Sequence, residues 1–462
     1  MTLRNASKAT LGRFLALVTG LIFLGSCGGS SSSSSSTSTP AANNTAALTV
    51  GFGPLGAAGG YVNGIFTSVT VCAPGTSNCE TVDNVLLDTG SAGLRILNSA
   101  LTTVPASSLG TIKDSSGDQL QECVQYGDTS YSWGPILVAD VELAGEKASS
   151  VPIQVIGDNS FAVPSQCLAT PVNPNLPNGG NEDTLATLGA NGILGVGAFG
   201  YPLDCGSYCT SSSYLTQSGY PYYVCPAGQA CSGTTVPYNL PSTSSNPDYQ
   251  VTNPVAMFSS ADNNGVLVTL PSIPALGAAN GTVSGSLVFG IGTQTDNALA
   301  SSATVYALDE YGNIPAFTYN GVSYTSPTNF SVLDTGAGAL LFLDANTLAS
   351  SGISECADAP GFYCPTSTVP FTVTVSGAIN TSGTGTMTFN IMNADTLFNT
   401  NNAAFNDLGG DSGTSPASDF FDCGLPFFFG RSVYIGMMPG VFTGESSAPS
   451  GAASATNGYY AF

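Results

Sequence analysis

The sequence predicts a mostly β protein made of two related halves, and three observations carry that reading. Short apolar runs recur between stretches rich in Gly, Asn, Ser and Pro, with 56 Gly and 28 Pro among 462 residues. Long stretches with a 3.6-residue apolar period are rare. An apolar run leading into Asp-Thr-Gly occurs twice, as in a diverged internal duplication. The length suits two or three compact units. With 42% hydrophobic and only 8% charged residues, the chain is not a disordered one.

In chain order, strands are expected at Tyr61–Val71, Val85–Leu87, Ile136–Leu143, Val151–Ile156, Val266–Leu270, Ser286–Ile291, Phe371–Val375 and Thr386–Ile391. Short helices are expected around Asn253–Ser260 and Asp344–Ser350. The first half is placed at 48–282, with a Cys-rich insertion at about 201–250, and the second at 283–462.

Upstream of these halves, residues 1–26 read as an export signal. Arg4, Lys8 and Arg13 form its positive region, and Phe14–Leu24 is an apolar stretch too short for a stable span. It ends Leu24-Gly25-Ser26-Cys27, which resembles a bacterial lipobox. That resemblance implies cleavage before Cys27 and a lipid on its thiol, with localisation to the bacterial cell envelope. The alternative is an ordinary signal peptide in which Cys27 is incidental. A Ser-rich tether over 27–47 would then space the protein from a membrane.

Composition excludes several function classes. The chain has no His, which removes Ser-His-Asp and Cys-His hydrolases and His-ligated zinc sites. Net charge is −22, and beyond the signal only Arg95, Lys113, Lys147 and Arg431 are basic. Nucleic-acid binding needs basic patches, and none exists. Twelve cysteines in an exported chain argue for disulfides. Close spacing suggests Cys72 with Cys79, Cys356 with Cys364, and pairing within Cys205, Cys209, Cys225 and Cys231. Cys123, Cys167 and Cys423 remain, so with Cys27 lipidated one thiol is expected free. A zinc site in the 205–231 cluster is the alternative; export favours disulfides, and no metal or cofactor is expected.

The duplicated signal is specific. Val85-Leu86-Leu87-Asp88-Thr89-Gly90-Ser91 is matched by Val332-Leu333-Asp334-Thr335-Gly336-Ala337, and each is followed by further small and apolar residues. Ile193-Leu194-Gly195 follows the first, and Phe428-Phe429-Gly430 the second. These residues resemble the pepsin-like aspartic proteases. Gln125-Tyr126-Gly127-Asp128-Thr129-Ser130 resembles the family's flap. The motifs, with Gly424–Arg431, also resemble an uncharacterised bacterial family of exported proteins. The resemblance implies a mostly β, two-lobed architecture with a central cleft and few short helices. It implies an aspartic endopeptidase in which Asp88 and Asp334 share one proton and activate water toward a peptide bond. A peptide or protein substrate and a monomer follow from the same resemblance.

The neighbours acquire roles by that resemblance. Thr89 and Thr335 would bond across the junction, and Gly90 and Gly336 would allow close backbone approach. Ser91 would bond Asp88, Gly195 and Gly430 would underlie the two loops, and Tyr126 with Gly127 would close over substrate. Three departures stand out. Ala337 lacks the hydroxyl of Ser91, which should raise the acidic limb and move activity toward neutral pH. Arg95 stands where the family places a tryptophan, and its cation is expected to stack on or bond Tyr126. Arg431 replaces an acidic residue after the second glycine. Two other readings are carried: a non-catalytic peptide-binding protein on the same scaffold, and a two-carboxylate glycoside hydrolase, the latter disfavoured by a single tryptophan, Trp133.

Overall fold

The computed structural model describes residues 44–114, 116–127, 130–158, 160–164, 167, 180–198, 203–205, 209, 221–225, 249–326, 329, 331–349, 351–378, 383–412, 420–439 and 446–462. The export signal, Cys27, Cys231, most of the 201–250 insertion, and Asp128 and Thr129 lie outside them.

Strands dominate, and helices are few and short. Each expected strand is found, with its bounds longer, shorter or shifted by a few residues. The helix near 344–350 is Ala345–Ala349, and Pro254–Met257 is a single 3-10 turn capped by the Asn253 side chain. Two more helices, Leu185–Leu188 and Ala394–Phe398, are too short to leave a periodic signature. Among the described residues, no helix is long and apolar enough to cross a membrane.

A 15-stranded sheet ties the halves together. Thr45–Gly51 lies antiparallel to both Gly64–Cys72 and Val283–Phe289. Ala46, Leu48 and Val50 face the core while Ala47 and Thr49 face outward, the alternation of a strand covered on one face. The tether expected to reach residue 47 therefore ends earlier, since Thr45-Ala46-Ala47 is already strand. The sheet continues from Val283–Phe289 through Gly265–Thr269, Ser432–Gly436, Tyr459–Ala461 and Val305–Ala307. The expected boundary at 282 thus falls between two paired strands, Gly265–Thr269 and Val283–Phe289.

Within each half, four strands repeat one pattern. Cys79–Asp88 runs parallel to Gly192–Val196, which is antiparallel to Ala92–Leu97, which is parallel to Glu146–Ile156. In the second half, Ser331–Leu333 runs parallel to Phe421–Cys423, which is antiparallel to Leu340–Phe342, which is parallel to Gly409–Gly410. The duplication read from the motifs is therefore also a duplication of pairing. Val85, Leu86 and Leu87 are all buried because both faces of their strand are covered, which is why they read as a continuous apolar run.

A second four-stranded antiparallel sheet backs the later half: Val322–Thr325, Ala316–Tyr319, Val369–Ser376 and Thr384–Ile391. Its cross-strand pair Phe371 and Phe389 stacks at 5.4 Å between centroids. Phe342 meets both rings edge-on at 4.9 and 5.1 Å, anchoring Leu340–Phe342 to that sheet.

Disulfides join Cys72 to Cys79, Cys123 to Cys167, Cys205 to Cys209 and Cys356 to Cys364. Cys225 is also disulfide-bonded. Cys423 is the free thiol among the described residues; it is buried, and burial pushes its pKa up. Thiol titration of the denatured, unreduced mature protein should therefore find one reactive cysteine, absent in Cys423→Ser. The same reagent should react far more slowly with the folded protein. Several reactive thiols, or one surviving Cys423→Ser, would overturn this assignment.

Candidate active site

The two Asp-Thr-Gly loops sit at the ends of equivalent strands, Cys79–Asp88 and Ser331–Leu333, and meet. Their threonines hold them together reciprocally. Thr89 Oγ1 donates to the Leu333 carbonyl at 2.7 Å and accepts from the Thr335 amide at 2.9 Å. Thr335 Oγ1 donates to the Leu87 carbonyl at 2.7 Å and accepts from the Thr89 amide at 3.1 Å. Both hydroxyls are fully used and buried. A threonine supplies one donor and one acceptor at a fixed Cβ, which is what each position requires.

Beyond this lock the carboxyls face each other. A Cβ on Gly336 would lie within 3.0 Å of an oxygen of each, so Asp88 and Asp334 are close neighbours. The glycines make room for this: a Cβ on Gly90 would collide with the Asp334 carboxyl, and one on Gly336 would lie 2.8 Å from Asp88 Oδ1. Donors are unequal. Asp88 accepts from the Gly90 amide at 2.7 Å and from Ser91 Oγ at 2.5 Å. Asp334 accepts from the Gly336 amide at 2.7 Å, and Ala337 offers no hydroxyl. Burial, with the charges of Asp422 and Asp88, holds the Asp334 carboxyl well above the usual carboxylate range. The pair's proton therefore belongs on Asp334, where the donor is missing. The missing hydroxyl at Ala337 leaves Asp334 one side-chain donor short of Asp88.

The residue beneath each loop is a glycine, but the second is not Gly430. Gly195 pairs with Asp88 in the parallel ladder, and a Cβ there would lie 2.7 Å from the Ala92 carbonyl carbon. The equivalent in the second half is Gly424. It follows Phe421–Cys423, a Cβ on it would meet the Ala337 carbonyl at 2.5 Å, and the Asp334 amide donates to Cys423 O at 3.1 Å. Gly430 instead makes a turn with φ +75° beside Ser272. Consequently Leu425, not Arg431, follows the second-half glycine. Arg431 donates to the Phe427 and Thr388 carbonyls and lies over the Phe427 ring at 4.5 Å. The apolar-apolar-Gly signal pointed to the wrong glycine because Asp422 and Cys423 stand where Ile193 and Leu194 stand in the first half.

Arg95 is also placed differently from expectation. It neither stacks on nor hydrogen-bonds Tyr126. Its guanidinium is buried and donates to Ala92 O at 2.9 Å, Glu122 Oε1 at 3.0 Å and Asp204 Oδ2 at 3.4 Å. The Tyr222 hydroxyl donates to Asp204 Oδ1 at 2.6 Å. Burial, together with the Glu122 charge, keeps Asp204 well above the usual carboxylate range, and one buried cation faces both acidic side chains. Tyr126 meets Ser132 Oγ at 2.9 Å, and its amide donates to the Ser130 carbonyl across a hairpin end. That hairpin, Gln119–Gln125 with Tyr131–Leu143, is tied down by Cys123–Cys167, and Tyr126 packs against an apolar cluster that includes Tyr61, Phe66 and Leu188. A Cβ on Gly127 would meet nothing within 4 Å.

Fold and site thus define a β protein with duplicated, interlocked Asp-Thr-Gly loops. The chain belongs to the family described as "Protein of unknown function (DUF3443)", whose sequence pattern matches residues 40–462. No curated protein matches it. Among solved structures it is similar to the aspartic proteinase from Irpex lacteus, at 15% identity and a TM-score of 0.42, over 87% of this chain and 100% of that one.

Proposed function

We propose that the protein is an aspartic endopeptidase whose catalytic pair is Asp88 and Asp334, set in a cleft between two β-rich lobes. The observation that carries this reading is the reciprocal Thr89–Thr335 lock, which sets two partly buried carboxyls beside each other. Two such groups cannot both ionise easily, so one proton is retained. Ionised Asp88, steadied by Gly90 and Ser91, takes a proton from an attacking water. Protonated Asp334 donates to the carbonyl oxygen of the scissile bond, leaving a tetrahedral diol. That intermediate collapses as the C–N bond breaks: Asp88 gives its proton to the leaving amine, Asp334 takes one back from a diol hydroxyl, and the pair returns to its starting state. Tyr126, at the end of its hairpin, would cover the substrate and exclude water.

The substrate class is a peptide or protein. Digestion of a peptide library by the mature protein from pH 3 to 8, with and without pepstatin, tests the reading. Cleavage suppressed by pepstatin is expected, because its hydroxyl occupies the place of the attacking water. A library left intact throughout that range would defeat the proposal.

We propose further, from the lipobox-like Leu24-Gly25-Ser26-Cys27, that a lipid on Cys27 holds the protein on the bacterial cell envelope, spaced by the Ser-rich segment that follows. Cys27→Ala should move the protein from the membrane fraction to the soluble one. Retention in the membrane fraction would show that another feature anchors it.

A further inference from the structure

We propose that Asp422 is a third carboxyl of the site, a positioning residue whose charge helps keep the proton on Asp334. This rests on the endopeptidase reading for its catalytic meaning, but not for its electrostatics.

Asp422 lies in Phe421–Cys423, the strand hydrogen-bonded directly to the Asp334 strand, in register with Val332. Its position matches Ile193 in the first half, so a carboxyl occupies a place built for an apolar side chain. The side chain is buried, and Oδ1 has no hydrogen-bond partner among the described residues. A carboxylate left there without a donor is costly, so the group stays neutral until pH is high. Burial, with the Asp88 charge adding to it, pushes its pKa up to about 7. Asp422 in turn acts on Asp334.

Among the described residues, the other titratable groups around it are neutral or held elsewhere. Tyr460, from Tyr459–Ala461, is pushed up by burial and stays neutral, as does Cys423. Arg431 acts on Cys423 and is held on the Phe427 and Thr388 carbonyls. Asp422 is therefore a third carboxyl, on the strand beside Asp334 and two residues from it in register. Below pH 7 Asp422 is protonated and adds no charge to the pair. As pH rises it ionises, and its charge opposes loss of the proton from Asp334. The single-proton state of the pair then persists to higher pH, extending activity on the alkaline side.

The test compares wild type with Asp422→Asn and Asp422→Leu, the latter resembling the Ile193 of the first half. Both variants should leave the acidic limb of the pH–rate profile in place, since Asp422 carries no charge there. Both should lose about one pH unit from the basic limb of the pH–rate profile. A purely structural role would scale the whole profile and leave its limbs in place. Carbon-13 titration of Asp carboxyls supplies a readout that needs no activity. In wild type, the signals lost in Asp334→Asn and in either Asp422 variant should titrate above the usual range and respond to one another. If wild type cleaves nothing yet these titrations are coupled, the endopeptidase reading fails and the carboxyl cluster stands. Independent titrations, or a basic limb unmoved in both variants, overturn the role of Asp422. Should neither variant fold, titration of Asp88→Asn decides: the Asp carboxyl titrating near 7 must move down when the Asp88 charge is removed, and failure to move overturns the proposal.

Discussion

Asp88→Asn and Asp334→Asn should each lower peptide cleavage by roughly a thousandfold or more, the scale of losing a positioned proton donor or acceptor. Both variants should remain folded, because the threonine lock uses neither carboxyl. The two should differ in stability. Asp334 carries the raised pKa, so the folded wild type holds an extra proton above the pH at which an unfolded carboxyl has ionised. Its stability therefore falls as pH rises from the unfolded value toward the folded one. Asp334→Asn mimics the protonated form and removes that part of the decline, so it should melt no lower than wild type at neutral pH. Wild-type cleavage in both variants would refute the catalytic assignment. Loss of cleavage together with loss of the folded melting transition would instead mark the residues as structural.

Arg95→Met should destabilise the fold at neutral pH by about 3–5 kcal/mol, the cost of stripping one partner from a buried ion pair. Glu122 and Asp204 would keep their burial and lose their counter-charge, with side chains 0% and 7% exposed. Methionine fills similar length, so packing alone accounts for little of the loss. The effect should shrink in acid, as protonation neutralises the carboxyls, and Arg95→Met with Glu122→Gln should recover part of it. Chemical unfolding at pH 7 and pH 4 measures both. Equal losses at the two pH values would show that Arg95 contributes packing rather than charge.

What could be read from the residues divides along a physical line. Val85–Asp88 and its counterpart ending at Asp334 were legible because an apolar strand covered on both faces leaves a continuous run, and the loop leaves Asp-Thr-Gly. Gly195 followed for the same reason. Gly424 did not, since Asp422 and Cys423 interrupt the apolar signal and a nearby Phe-Phe-Gly imitates it. The Arg95 network was hidden because its partners are 27 and 109 residues away and come from separate segments. Local pattern reports what covers a strand. It does not report which distant charge meets another in the core.

The pairing of Thr45–Gly51 with Val283–Phe289 has a consequence for the order of assembly. The partners Thr45 and Val288 are separated by most of the first half, and Leu48 and Val50 stay buried only once both neighbours are present. As the chain is synthesised or threaded through a membrane, this early strand must wait for a late one. Until then it offers an open hydrogen-bonding edge beside Gly64–Cys72. Contacts so far apart in sequence slow folding, because the chain loses loop entropy before the pairing forms. Folding of the first half alone would leave that edge available to other chains. A holding chaperone that covers it would protect the nascent protein from aggregation during the interval.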